Sequence, residues 1–194
     1  MKKYSSTYWN NRYETKNTGW DIGYVSTPIK EYIDQLDKKD INILVPGAGN
    51  AYEVTYLYEM GFSHVFLLDF APLSIRNFME RNPEFPESQI ICDDFFEHKG
   101  QYDLIIEQTF FSSLPPEKRH DYIDHMHRLL KPQGKLVGLL FGLEFDFEGP
   151  PFGGTKETYY ELFSGNFEVR KLETAYNSIK PRQDRELFFM ITKR

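Results

Sequence analysis

The stretch that most constrains the fold is Ile41-Asn-Ile-Leu-Val-Pro-Gly-Ala-Gly-Asn-Ala-Tyr-Glu53, continued by Leu67-Leu-Asp69. A short apolar run breaks at Pro46, turns on Gly47 and Gly49, and enters a helical pattern. A second apolar run then ends on Asp69, twenty positions beyond Gly49. A strand that turns tightly into a helix and returns to a neighbouring strand is the first unit of a parallel α/β sheet. Its chemistry suits a nucleoside. Glycines let the backbone approach a ligand, the helix start offers free N–H groups, and a carboxylate ending the second strand can grip ribose hydroxyls.

The details of the turn select among nucleosides. The dinucleotide pattern G-x-G-x-x-G uses its third glycine for close helix–strand packing, with a pyrophosphate at the helix end. Here the third position is Tyr52, and Glu53 puts an acid in the first helical turn, where it reads as a capping-box partner of Asn50. A pyrophosphate is repelled there. The expected ligand is a nucleoside without phosphates, and S-adenosylmethionine fits. The rivals are a nucleotide-binding Rossmann domain and a chance strand–turn–helix.

Alternating helix and strand patterns run through one domain of 194 residues. Thr27-Pro28 reads as an N-cap and first-turn proline. Strands are expected near 41–45, 64–69, 88–92, 102–107 and 135–141, with helices near 51–60, 73–81 and after Pro115-Pro116, the last ended by Lys131-Pro132-Gln133-Gly134. Thr155 opens a final helix, and 167–172 with 186–192 read as an antiparallel pair at one sheet edge. Residues 41–194 are expected to form the Rossmann-like core, preceded by a segment 1–38 that the resemblance described below implies to be cofactor-covering.

Composition narrows the partners. A net charge of −6 without a basic stripe disfavours nucleic acid. Met1-Lys-Lys-Tyr-Ser5 is followed by no apolar segment and no long uncharged apolar run occurs, so neither export nor membrane spanning is expected. Cys92, the lone cysteine, reads as a reduced core residue, which points to the cytoplasm. His120, His125 and His127 lack the i, i+4 spacing of a helical metal site and read as a solvated face. No metal cluster and no obligate protein partner is evident.

Several segments together resemble one family: Trp9-Asn-Asn-Arg-Tyr13…Trp20-Asp21, Val45-Pro-Gly-Ala-Gly49, Asp93-Asp-Phe-Phe96, Glu107-Gln-Thr-Phe-Phe111, Leu114-Pro-Pro-Glu-Lys-Arg119 and Gly149-Pro-Pro-Phe152. The chain is similar to the thiopurine methyltransferase-like group of S-adenosylmethionine-dependent methyltransferases, nearest in motif to halide and thiol methyltransferases. The resemblance covers about three quarters of the chain. It implies a class I methyltransferase fold: a mostly parallel seven-stranded sheet, last strand reversed, with helices on both faces.

Carried over by position, the resemblance makes Trp9, Tyr13 and Trp20 an aromatic cover over the cofactor, and Gly47 and Gly49 the turn beside its methionine part. Asp69 is then the ribose acid, Asp94 and Phe95 the pair at the adenine, and Gln108 a contact near the methyl donor. Phe110, Phe111 and Phe152 are candidates for the acceptor wall, and the loop 145–154 closes the pocket. Glu107 either orients its surroundings or touches the cofactor. Gln108 departs from the arginine of thiopurine enzymes and the tyrosine of plant halide enzymes, and Phe152 stands where plant relatives often carry tyrosine.

No catalytic residue is expected, because a thiolate, hydrosulfide or halide arrives already nucleophilic. The implied activity is methylation of a small soft nucleophile. The alternatives are a heterocyclic thiol or small amine as acceptor, or a non-catalytic cofactor-binding module.

Overall fold

The computed structural model describes residues 4–194. Met1, Lys2 and Lys3, which entered the expectation about export and the 1–38 segment, lie outside them. Strands β1 (Asn42–Pro46), β2 (His64–Asp69), β3 (Ile90–Cys92), β4 (Tyr102–Gln108), β5 (Leu130–Phe141), β6 (Phe167–Thr174) and β7 (Glu186–Lys193) form one sheet. Its order is β3-β2-β1-β4-β5-β7-β6. Pairing is parallel from β3 through β5, and β7 lies antiparallel to both β5 and β6. The expected terminal pair forms, with β7 inserted beside β5 and β6 left as the edge.

Alternation along each strand divides the core between the two faces. Ile43, Val45, Leu104, Ile106, Val137 and Leu139 pack with Ile29 and Ile33 of α2 (Thr27–Asp34), Val54 and Leu57 of α3 (Tyr52–Glu59), and Phe78 of α4 (Pro72–Arg81). Leu44, Ile105, Leu136 and Leu140 face α6 (Arg119–Leu129) and α7 (Lys156–Ser164). On that side Phe163 is fully buried and stacks on Phe189 with ring centroids 5.3 Å apart. Thr155 caps α7 through a capping box with Thr158.

Several local expectations are corrected. Helix α1 (Ser6–Glu14) occupies the N-terminal segment, where no helix was expected; its Ser5 hydroxyl accepts from Tyr8 N–H. Ser26 rather than Thr27 holds the N-cap position of α2, without a side-chain capping bond, and the Thr27 hydroxyl donates to the Asn177 carbonyl. The Asn50–Glu53 capping box does not form. Ala51, in the left-handed region, takes the N-cap, and the Asn50 amide donates to Asp21 instead. Helix α6 ends at Leu129, and Lys131–Gly134 is a bulged opening of β5, with Gln133 at φ 62°. Cys92 is exposed on β3, the strand at one end of the sheet order. His125 is buried against the rings of Phe95 and Phe96 rather than solvated.

Candidate active site

The strand order reverses between β1 and β4, so the loops leaving their carboxyl ends part and open a crevice there. A cavity of about 910 Å³ occupies it, within the roughly 300–1,000 Å³ of small-molecule sites.

Its floor is the turn after β1. Gly47, Gly49 and Ala51 hold φ of 57°, 56° and 56°, so the chain alternates through the left-handed region where side chains are disfavoured. A Cβ on Gly49 would stand 2.6 Å from the Tyr13 hydroxyl, and one on Gly47 would enter the Phe110 ring. The bare backbone is therefore a steric requirement. Asp69, at the end of β2, fixes the turn: Gly49 N–H and Ala71 N–H each donate to one of its oxygens at 2.8 Å. Burial pushes its carboxyl up, while these amides pull it back down. Asp69 also lines the cavity, where a ligand hydroxyl can share its oxygens with these amides.

The cover comes from α1 and the segment after it. Trp9 and Tyr13 meet Trp20 edge-to-face at 5.3 and 5.7 Å, and Arg12 lies 5.1 Å over the Trp20 ring. All four line the cavity. Ser6 Oγ donates to the Phe70 carbonyl and Asn10 accepts from Leu73 N–H, which seats α1 on the start of α4. Burial and the charge of Asp69 push the Tyr13 phenol up, keeping it a neutral hydroxyl.

The side wall is the turn after β3. Asp94 accepts from Phe96 N–H at 3.0 Å, and Phe95 is buried with its ring edge-on to Phe96, Phe110 and His125. Gln108, ending β4, accepts from the Ser26 hydroxyl at 2.9 Å. Trp9, Tyr13, Trp20, Gly47, Gly49, Asp69, Asp94, Phe95, Gln108 and Phe110 thus converge on one cavity.

Phe111 and Phe152 do not line it. Phe111 points into the core against Tyr122 and Tyr159, because Glu107 accepts its N–H and fixes the short α5 (Phe110–Ser113). Phe152 packs on Tyr4 while its N–H donates to the Ser112 carbonyl; Pro150 and Pro151 take the cavity side of that loop. Glu107 itself is fully enclosed, accepting from Phe111 N–H and Tyr122 Oη, and burial raises it to about 7. It lies outside the cavity wall and orients the β4 turn.

Sequence reading missed Arg12, Asp21, Glu53 as a wall residue, and Arg182. Glu53 is buried, accepts from Ser26 N–H at 3.4 Å, and is raised by burial to about 6. An acid directly after the glycine turn was a usable signal; Arg182, in a distant loop, left none.

The reversed seventh strand, the carboxyl-end cavity and the glycine turn with its strand-end acid define a Rossmann-like, S-adenosylmethionine-dependent methyltransferase. Fold comparison agrees. The Burkholderia thailandensis 1,6-didemethyltoxoflavin-N1-methyltransferase, solved with S-adenosylhomocysteine, superposes with TM-score 0.76 at 18% identity over 97% of this chain and 86% of its own. A TehB-like methyltransferase from Corynebacterium glutamicum gives 0.68 at 19% identity, over 97% and 98%. The thiopurine S-methyltransferase family model matches residues 4–191, and the chain belongs to that family. Relatives include the probable thiol methyltransferase 2 of Arabidopsis thaliana, 28% identical over 96% of this chain and 84% of that protein. The thiopurine S-methyltransferase of Acinetobacter baylyi is 24% identical, over 86% and 87%.

Proposed function

We propose that this methyltransferase methylates a small soft nucleophile, a thiol or hydrosulfide or a comparable anion such as a halide. The observation that carries this reading is the cavity wall. Among the described residues it contains no histidine, and its one lysine, Lys118, is paired with Asp121 at 2.6 Å. A hydroxyl acceptor, or an amine that arrives protonated, needs a base to take its proton; a thiolate or halide does not. The related proteins named thiol, thiocyanate and thiopurine methyltransferases support the same class.

The residues fit the cofactor. The bare cradle at Gly47 and Gly49 receives the methionine part, Asp69 the ribose hydroxyls, and Asp94 with Phe95 the adenine, while Gln108 stands at the end of β4 beside the acceptor side. When bound there, S-adenosylmethionine supplies an electrophilic methyl group on a sulfonium. The chain's own work is then positioning and drying. Trp9 and Trp20 present ring faces that favour a cation and exclude water. Phe110, Phe141, Pro150 and Pro151 give the acceptor an apolar surround, in which the attraction between anion and sulfonium is strengthened and its hydration removed. Arg182 is the buried cation of this wall.

The test is the pH profile of kcat/KM for thiols of different acidity. The rising limb should move with each thiol's own pKa. A limb fixed near pH 6 for every acceptor would assign Glu53 as a general base and overturn the base-free reading.

A further inference from the structure

The cover is tied down at two ends. Helix α1 is held by Ser6 and Asn10 on the α4 side. The Trp20 end is held by Arg182, on the connection between β6 and β7. Its Nη2 donates to the Trp20 carbonyl at 2.6 Å across 162 positions of sequence. Nη1 lies 3.3 Å from Glu186 Oε1, and the other Glu186 oxygen accepts from the Ser178 hydroxyl at 2.8 Å. The guanidinium also lies 5.8 Å over the Phe141 ring. Arg182 is 8% exposed, so this is a desolvated, charge-assisted contact. It is worth more than a surface pair, and one a guanidinium fork can make in two directions at once.

Beside this contact lies a second cleft of about 660 Å³, between residues 19–27 of the cover and 177–182 of the connection. Gly19, Asp21, Ile22, Tyr24 and Arg182 form the wall it shares with the main cavity. The Trp20 end is therefore the part of the cover with open space behind it; Arg182 joins Trp20 across that space and Thr27 bonds to Asn177 at its far edge, while on the near side Asp21 accepts from the Asn50 amide.

We propose that Arg182 is a positioning residue that latches the Trp20 end of the cover, so that cofactor exchange proceeds by release of the Trp20–Arg182 contact while α1 stays seated. This rests on the reading of Trp9 and Trp20 as the cofactor cover.

The chain has two tryptophans, Trp9 and Trp20, so intrinsic fluorescence reports on the cover directly. Arg182→Ala and Arg182→Lys are compared with the native enzyme. The lysine variant keeps a charge beside Glu186 but gives up the fork. Both should raise acrylamide quenching, and should speed S-adenosylhomocysteine dissociation by about tenfold, the scale of one hydrogen bond to a charged group. KM for the cofactor should rise by a larger factor than kcat falls, the split that a loss of cofactor binding produces. If Arg182→Lys folds with native quenching and native dissociation, Arg182 is framework only and the latch is wrong. Trp20→Ala separates the two layers of the argument. Weakened cofactor binding there with a silent Arg182→Lys leaves the cover and removes the latch; unchanged binding removes both.

Discussion

Gly49→Ala isolates the contribution of the glycine turn, with Gly61→Ala as its internal control. Both glycines sit at positive φ, 56° and 84°, and an alanine held there costs about 1–2 kcal/mol. At roughly 2–4 °C per kcal/mol for a chain of this length, each variant should melt about 2–8 °C lower. Only one of them touches the site. A Cβ at Gly61 meets nothing within 4 Å, whereas at Gly49 it stands 2.6 Å from the Tyr13 hydroxyl. That phenol must move, taking with it a ring that packs on Trp20, and the Gly49 N–H donated to Asp69 is disturbed as well. A loss of about 1.4 kcal/mol in cofactor binding is tenfold in Kd. Calorimetric titration with S-adenosylhomocysteine should therefore show at least that loss in Gly49→Ala and a native constant in Gly61→Ala. Equal affinities in the two variants would refute the argument that the bare backbone at Gly49 serves the ligand.

Two further predictions concern the buried acid and the cover. Burial holds folded Glu107 at about 7 against an ordinary value of 4.5. Between those values the folded chain keeps a proton that the unfolded chain has lost, so stability falls as pH rises through the window and levels off above 7. Glu107→Gln should remove up to ~1.4 kcal/mol per pH unit of that slope, measured by urea unfolding at pH 5, 6 and 7. Glu53 keeps its smaller share up to about 6, and an unaltered slope contradicts the assignment. Trp20→Ala should weaken S-adenosylmethionine more than S-adenosylhomocysteine, because only the former carries the sulfonium, by about 0.5–2 kcal/mol. Identical losses for both ligands would show that the ring contributes packing alone.

The sequence was most informative where a local pattern and its tertiary role coincide. Strand β2 lies where its apolar run placed it, ending on Asp69, and Thr155 caps α7, because each depends on residues adjacent in the chain. The glycine turn was legible for the same reason. Contacts made across the fold were not. Asn50 and Glu53 have the spacing of a capping box, yet Asp21 and Ser26 draw both side chains away. Phe111 looks like its neighbour Phe110 in sequence, but the short α5 turns one ring into the cavity and the other into the core. Arg182 carries no local signal, since its partner Trp20 is brought to it only when β7 inserts between β5 and β6.

A competition between thiophenol and aniline in one vessel tests the central claim most directly. The two acceptors share ring and size and differ in the atom that receives the methyl group. With S-adenosylmethionine limiting and both acceptors equimolar at neutral pH, thioanisole should form almost exclusively. The thiol ionises in water without help and brings a soft anion to the sulfonium, an attraction that the apolar surround of Phe110, Phe141, Pro150 and Pro151 strengthens, whereas the neutral amine gains nothing from it. N-Methylaniline as the main product would contradict the account, as would cofactor bound with neither acceptor methylated.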